Sequence, residues 1–112
     1  MSNNPQDPIV VLITAPNKDE AERIAEMLVS QGLAACVQML TGMESVYRWK
    51  GEVQRDQEVL LLAKTTRARF DDLESKVSAM HSYETPEIIA LPISAGSEAY
   101  LRWVVECLPA GS

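Results

Sequence analysis

The hydrophobic and polar positions at the start of the chain predict a strand followed by a helix. Residues Ile9–Ile13 form a continuous apolar run rich in β-branched side chains, which is typical of a buried strand. From Lys18 to Gln31 the apolar residues recur along one helical face. Asn17, with Glu20 three residues later, is a capping-box pattern, and Gly32 stands where helices commonly end. The chain therefore opens with a β-α unit.

The middle of the chain predicts more strands and a long hairpin. Leu33–Leu40 is a strand candidate, and Ser45–Trp49 is dominated by residues that favour strands. Lys50-Gly51 is a turn signal, and Glu58–Lys64 is a strongly apolar strand. Residues 43–64 should therefore form a long hairpin-like region.

The second half of the chain predicts a helix, a strand and another helix. Between Arg67 and Met80, apolar residues recur at the spacing of a buried stripe that ends on Met80 itself. Ile88–Ile93 is a strand, and Pro92 favours a sheet edge. A third helix starts near Ser97 and carries an apolar stripe as far as Leu108.

The predicted order is β-α-β-β-α-β with an extra C-terminal helix. This order is typical of the ferredoxin-like α+β fold, an antiparallel sheet with helices on one face. Because the strands carry apolar residues on both sides, the second face of the sheet also needs cover. We therefore expect an oligomer that packs sheet surfaces together.

Length and charge indicate a single domain and exclude several classes of protein. The 112 residues suit one domain, which we place at 9–108 between a flexible leader (1–8) and a tail (109–112). The net charge of −6 argues against a nucleic-acid-binding protein and against a basic membrane-surface helix. No apolar run is long enough to span a bilayer, and the N-terminus lacks a signal-peptide pattern. The predicted location is therefore cytoplasmic, where Cys36 and Cys107, which are far apart in the sequence, are expected to be reduced.

Several short motifs, in order along nearly the whole chain, resemble the CutA family of divalent-cation tolerance proteins. They are Thr14-Ala15-Pro16, Leu33-Ala34-Ala35-Cys36-Val37, Ser45-x-Tyr47-x-Trp49-x-Gly51, Glu58-x5-Lys64-Thr65 and Tyr83-Glu84-x-Pro86-Glu87. The resemblance implies a ferredoxin-like subunit in a compact homotrimer, similar in architecture to PII signalling proteins. It also implies a link to copper and other divalent metals, with no required cofactor.

His81, the only histidine, is the candidate metal ligand. The resemblance implies a cysteine before Thr-Ala-Pro and a His-His pair before the tyrosine loop in copper-binding bacterial members, where this chain has Ile13 and Met80-His81. Isoleucine cannot bind a metal, and the neighbouring carboxylates show no recognisable ligand spacing. The alternative interpretation is a histidine at a helix C-terminus, where a positive charge is stabilised by the helix dipole.

A second set of residues is a candidate ligand or interface cluster. Its members are Lys64, Tyr83, Glu84, Glu87, Tyr47 and Trp49. The resemblance places the tyrosine loop near a neighbouring subunit. Lys64 is a candidate counter-charge to Glu84 or Glu87. Such a polar cluster can bind a ligand or set the register of an interface.

Sequence templates for enzymes are absent: there is no Gly-rich phosphate loop, CxxC or HExxH. We expect a non-enzymatic trimer that binds divalent cations, Cu(II) among them, weakly. Two alternatives stay open, namely a PII-like sensor that binds a small metabolite between subunits, and a purely structural scaffold.

Overall fold

A computed structural model describes residues 4–109, and its sheet has the predicted topology. The elements are β1 (Pro8–Ala15), α1 (Lys18–Ser30), β2 (Cys36–Trp49), β3 (Glu52–Thr66), a 3-10 turn (Arg67–Arg69) that leads into α2 (Phe70–Met80), β4 (Ile88–Pro92) and α3 (Glu98–Glu106). The strands lie in the order β2-β3-β1-β4, and every neighbouring pair is antiparallel. The ferredoxin-like prediction is therefore confirmed, with β4 at an edge of the sheet.

The first helix begins and ends where its sequence signals stand. The Asn17 side chain accepts a hydrogen bond from the Glu20 amide at 2.8 Å and so caps α1. Gly32 follows α1 with φ of +70°, and a Cβ at this position would come within 2.8 Å of the Pro109 ring. Glycine is therefore needed here for both conformation and space.

The core lies between α1, α2 and one face of the sheet. Its fully buried side chains include Ile13, Ile24, Leu28, Leu61 and Leu73. Met80 was expected to complete this core, and that prediction was wrong. Its side chain is 37% exposed because the buried stripe stops at Val77 and the helix ends at Met80, before a further turn could cover it.

The central hairpin is longer and more regular than predicted. Residues 36–40 of the first predicted segment and the whole of the second, 45–49, belong to a single strand, β2, interrupted by an irregularity between Leu40 and Met43. Leu33 and Ala34 precede this strand and are buried. Residues 52–58 of β3 pair with β2 only, so the hairpin extends beyond the other two strands as a two-stranded arm. Bulges of this kind bend and twist a strand without ending it.

The third helix lies on the sheet face opposite α1 and α2, which corrects the prediction of helices on one face only. The α3 residue Tyr100 contacts the Cys36 side chain. Cys36 is in register with Lys64, which is in register with Val10, so all three share this face. Val104 is fully buried in α3.

Beyond α3 this side of the sheet is uncovered within the described residues, and we call it the open sheet face. By strand register its apolar members are Leu12, Leu40, Leu60, Leu62, Ile89 and Leu91, and the polar residues Gln38 and Thr14 lie on the same face opposite Leu62 and Leu60. Leu40 is 57% exposed, and Ile89 and Leu91 are each 48% exposed. The fold therefore leaves a contiguous apolar surface on one side of the sheet.

The described ends of the chain are attached to the domain. The Arg67 amide donates to the Asp7 carbonyl at 3.0 Å, and the Ala68 amide donates to the Pro5 carbonyl at 2.9 Å. The predicted leader therefore does not hang free over residues 5–8, and β1 already starts at Pro8. The predicted tail begins at Pro109, whose carbonyl accepts from Arg69. Residues 1–3 and 110–112 of the predicted leader and tail lie outside the described residues.

Candidate functional site

A buried polar network joins the end of β1 to the loop after α2. His81 is the C-cap residue that directly follows α2, and its side chain is fully buried. Its Nε2 lies 2.7 Å from the Thr14 carbonyl oxygen, and its Nδ1 lies 3.0 Å from the Tyr83 amide nitrogen. In the neutral imidazole with its proton on Nε2, both ring nitrogens are thus satisfied. His81 positions the loop that carries Tyr83.

These contacts oppose a metal at His81. A metal ion on either ring nitrogen would have to displace the Thr14 carbonyl or the Tyr83 amide. Moreover, across residues 4–109, no three His, Cys, Asp or Glu side chains are grouped so that they could hold a metal ion. Metal binding by His81 stays a prediction, and it would require the loop to rearrange.

Glu20 is the member of this network that sequence reasoning missed. The capping-box pattern predicted that its carboxylate would turn back to Asn17. Instead, the carboxylate accepts hydrogen bonds from the Ser82 amide at 2.9 Å and from the Ser82 hydroxyl at 3.1 Å, and it lies 3.3 Å from His81 Nδ1. A signal was present, because Glu20 is in line with Ile24 and Leu28 on the buried face of α1.

The tyrosine loop and the hairpin enclose a cavity of about 680 Å³, which we call the acidic pocket. Its chemically distinctive walls are three carboxylates and three aromatic rings, from Glu58, Glu84, Glu87, Tyr47, Trp49 and Tyr83. Five of these six residues were predicted as a cluster; Glu58 was not part of that prediction. The structure brings them together because β3 carries Glu58 alongside the hairpin aromatics while His81 holds the loop in place.

Two phenol–carboxylate hydrogen bonds stiffen the pocket wall. The Tyr83 hydroxyl donates to Glu58 at 2.8 Å, and the Tyr47 hydroxyl donates to Asp56. Burial, and then the bond to Glu58, raise the pKa of Tyr83 well above its ordinary value. The bond to Asp56 raises the pKa of Tyr47. Both phenols therefore stay protonated and keep donating throughout the neutral range.

Lys64 does not line this pocket in the single chain, and its role as a counter-charge to Glu84 or Glu87 across a subunit contact stays a prediction. Its ammonium group hydrogen-bonds Gln38 on the neighbouring strand β2. The physical reason is strand register: Lys64 pairs with Cys36 near the start of β2, far along the strand from the tyrosine loop.

Replacing Tyr83 with phenylalanine tests the phenol–carboxylate bond. The lost hydrogen bond has a charged acceptor but is only partly buried, so we expect the free energy of unfolding at neutral pH to fall by about 1 kcal/mol, less than for a buried bond of this kind. Because the folded state raises the pKa of Tyr83, its contribution is complete below the unfolded value of about 10 and is lost as the pH rises above it.

The measurement is urea unfolding of both proteins from about pH 8 to about pH 11. The parent should lose stability more steeply above about pH 10 than the Tyr83→Phe variant does. Identical slopes would contradict the assigned bond.

The fold and the pocket together define the class: a ferredoxin-like domain with an open apolar sheet face and an acidic, aromatic pocket beside a long hairpin. Residues 9–107 match the family described as CutA1 divalent ion tolerance protein. The divalent-cation tolerance protein CutA of Thermus thermophilus is 53% identical over 97 residues, which cover 87% of this chain and 94% of that protein. The chain belongs to the CutA family.

A plant relative and two solved structures agree with this assignment. The chloroplastic protein CutA of Arabidopsis thaliana is 47% identical over 96 residues, which are 86% of this chain but only 53% of that protein. The divalent cation tolerance protein Cut A1 structure from Thermus thermophilus has a TM-score of 0.89 at 50% identity and covers 91% of this chain and 99% of its own.

The second structure is the periplasmic divalent cation tolerance protein CutA of Archaeoglobus fulgidus. It has a TM-score of 0.86 at 39% identity and covers 89% of this chain and 97% of its own. Relatives thus carry chloroplastic and periplasmic names. In this chain, no helix among the described residues is long and apolar enough to cross a membrane.

Proposed function

We propose that this protein is a homotrimeric, non-catalytic CutA-type protein that acts in tolerance to divalent metals, copper among them. Family membership supports the role in tolerance. The open sheet face is the observation that supports the assembly: its exposed leucine and isoleucine side chains form a surface that a monomer would leave in water. A trimer with PII-like architecture would bury this face of each subunit, and the proposed location is the cytoplasm.

The proposed binding of divalent cations is weak and diffuse. Each chain carries a net charge of −6, and a trimer would carry three times that charge in one compact particle. Such a field concentrates cations near the surface without a dedicated ligand cage. The buried, hydrogen-bonded state of His81 supports the same mechanism, because it leaves the imidazole without a free lone pair.

Titration with Cu(II) in a calorimeter tests this mechanism. We expect weak binding that falls steeply as sodium chloride is raised, because salt screens exposed charges beyond about 8–10 Å. We also expect the His81→Ala variant to bind as much Cu(II) as the parent. Tight binding that resists salt and disappears in His81→Ala would contradict the diffuse mechanism and would assign the metal to His81.

A second candidate function is that of a PII-like sensor that binds a small metabolite between subunits. The acidic pocket favours it, because a cavity of about 680 Å³ falls within the usual size range of small-molecule sites. A purely structural scaffold is the third candidate, and it would need only the trimer.

A further inference from the structure

The charge of the acidic pocket selects for a cation. Glu58, Glu84 and Glu87 line it, and within the described part of the chain no lysine, arginine or histidine does. The arginines of the hairpin are engaged elsewhere: Arg48 donates to the Gly51 carbonyl, and Arg55 forms an ion pair with Glu44 at 2.9 Å. An anionic ligand would therefore meet repulsion without compensation.

The aromatic rings of the pocket narrow the kind of cation. Trp49 is 51% exposed and Tyr47 is 40% exposed, although both side chains line a concave surface. Tyr83 is held by its bonds to Glu58 and His81, so its ring is fixed in place. Exposed ring faces beside carboxylates attract an alkylated ammonium ion, which offers positive charge and apolar surface together.

A bare divalent metal ion fits the same walls poorly. Divalent ions such as Mg²⁺ and Ca²⁺ need several oxygen ligands at 2.0–2.6 Å. Within residues 4–109 no three His, Cys, Asp or Glu side chains form a group that could hold such an ion. The Glu58 carboxylate already accepts the Tyr83 phenol. Aromatic rings also add nothing to the coordination of these hard ions.

We propose that the acidic pocket binds a small organic ammonium ion, whose charge is held by Glu84 and Glu87 and whose alkyl groups contact Trp49, Tyr47 and Tyr83. This site goes beyond the proposed function, since metal tolerance and trimer assembly do not require it. An organic ammonium ion also differs chemically from a metal ion, so the proposed ammonium site and the proposed metal binding can be disproved separately.

Tryptophan fluorescence provides a direct test. The chain has two tryptophans, and Trp103 lies on α3 outside the pocket. In a Trp103→Phe background, Trp49 is the remaining reporter. Three probes, compared at equal ionic strength, separate the contribution of charge to binding from that of methyl groups. Tetramethylammonium supplies charge and methyl groups, tert-butanol supplies methyl groups alone, and potassium supplies charge alone. We expect a saturable change of Trp49 emission with tetramethylammonium at least tenfold tighter than with either control.

Isosteric variants locate the charge. Glu84→Gln and Glu87→Gln should each weaken tetramethylammonium binding several-fold, whereas Glu22→Gln, an exposed position on α1, should leave it unchanged. Because Glu22, Glu84 and Glu87 are exposed, all three variants should keep the circular dichroism spectrum of the parent. The comparison of the three probes is made without these glutamate variants, so it tests the proposal even if one of the variants does not fold.

Three results would overturn the proposal. One is equal binding of tetramethylammonium and tert-butanol, which would make the pocket merely apolar. Another is saturable displacement of tetramethylammonium by Mg²⁺ at a comparable concentration, which would make it a metal site. The third is no response of Trp49 to tetramethylammonium together with a red shift of its emission on dilution, which would show that a second copy of the chain fills the pocket.

Discussion

Replacing Ile89 with lysine is expected to convert the proposed trimer into monomers. Light scattering should give three times the 12.4 kDa chain mass for the parent and a single chain mass for the variant. Ile89 lies in the open sheet face in register with Leu12, and 48% of the residue is exposed in the single chain. In a trimer built on this face, three ammonium groups would be buried in apolar surroundings, each at a cost of several kcal/mol.

A matched substitution on the other side of the sheet is the control. Val29 on α1 is 47% exposed, almost as much as Ile89, but it lies on the side covered by helices. Val29→Lys should therefore keep the parent mass. If Ile89→Lys also kept the parent mass at low micromolar concentration, the open sheet face would not be the interface.

Replacing Glu20 with alanine is expected to lower the free energy of unfolding by about 3 kcal/mol. The buried carboxylate accepts two hydrogen bonds from Ser82, and hydrogen bonds to a charged group contribute about 1.5–3 kcal/mol each. Its removal leaves the Ser82 amide without its acceptor beside the buried His81 ring. The loop that carries Tyr83 should therefore loosen, and with it one wall of the acidic pocket.

Urea unfolding at one fixed protein concentration measures the change, since oligomers gain stability with concentration. Glu22→Ala is the control, because Glu22 is exposed two residues along the same helix. Amide hydrogen exchange adds a local measurement: the Ser82 and Tyr83 amides should lose protection in Glu20→Ala before the core strands do. A loss below about 1 kcal/mol with unchanged protection of both amides would contradict the network.

Much of the fold was predictable because its signals are local. The strand at Ile9–Ile13 and the stripe of α1 repeat at the periods of their own elements, and a cap and a glycine mark the helix ends. The single long β2 strand was not predictable in this way. Its halves are joined by pairing with β3 across an irregularity, and pairing is a property of two strands together.

The candidate site shows the same difference between local sequence patterns and contacts that are distant in the chain. The aromatic and acidic residues Tyr47, Trp49, Tyr83, Glu84 and Glu87 were grouped correctly, since they lie in two short motifs. Lys64 does not join them within the single chain, because strand register places it beside Gln38, and its role across a subunit contact stays a prediction. Metal binding by His81 stays a prediction, opposed by contacts with residues 67 positions and 2 positions away in the chain.

The sequence by itself determined the order of elements, the ends of α1, the acidic character of the chain and the identity of the family. The elements and the charge follow from composition and from local periodicity, and the family follows from short motifs in a fixed order along the chain. Only the tertiary structure decided that α3 covers the second sheet face in part, that Glu20 and His81 anchor the tyrosine loop, and that Glu58 completes the acidic pocket. Each of these depends on contacts between residues distant in the chain, because burial and strand register arise only when the whole domain packs.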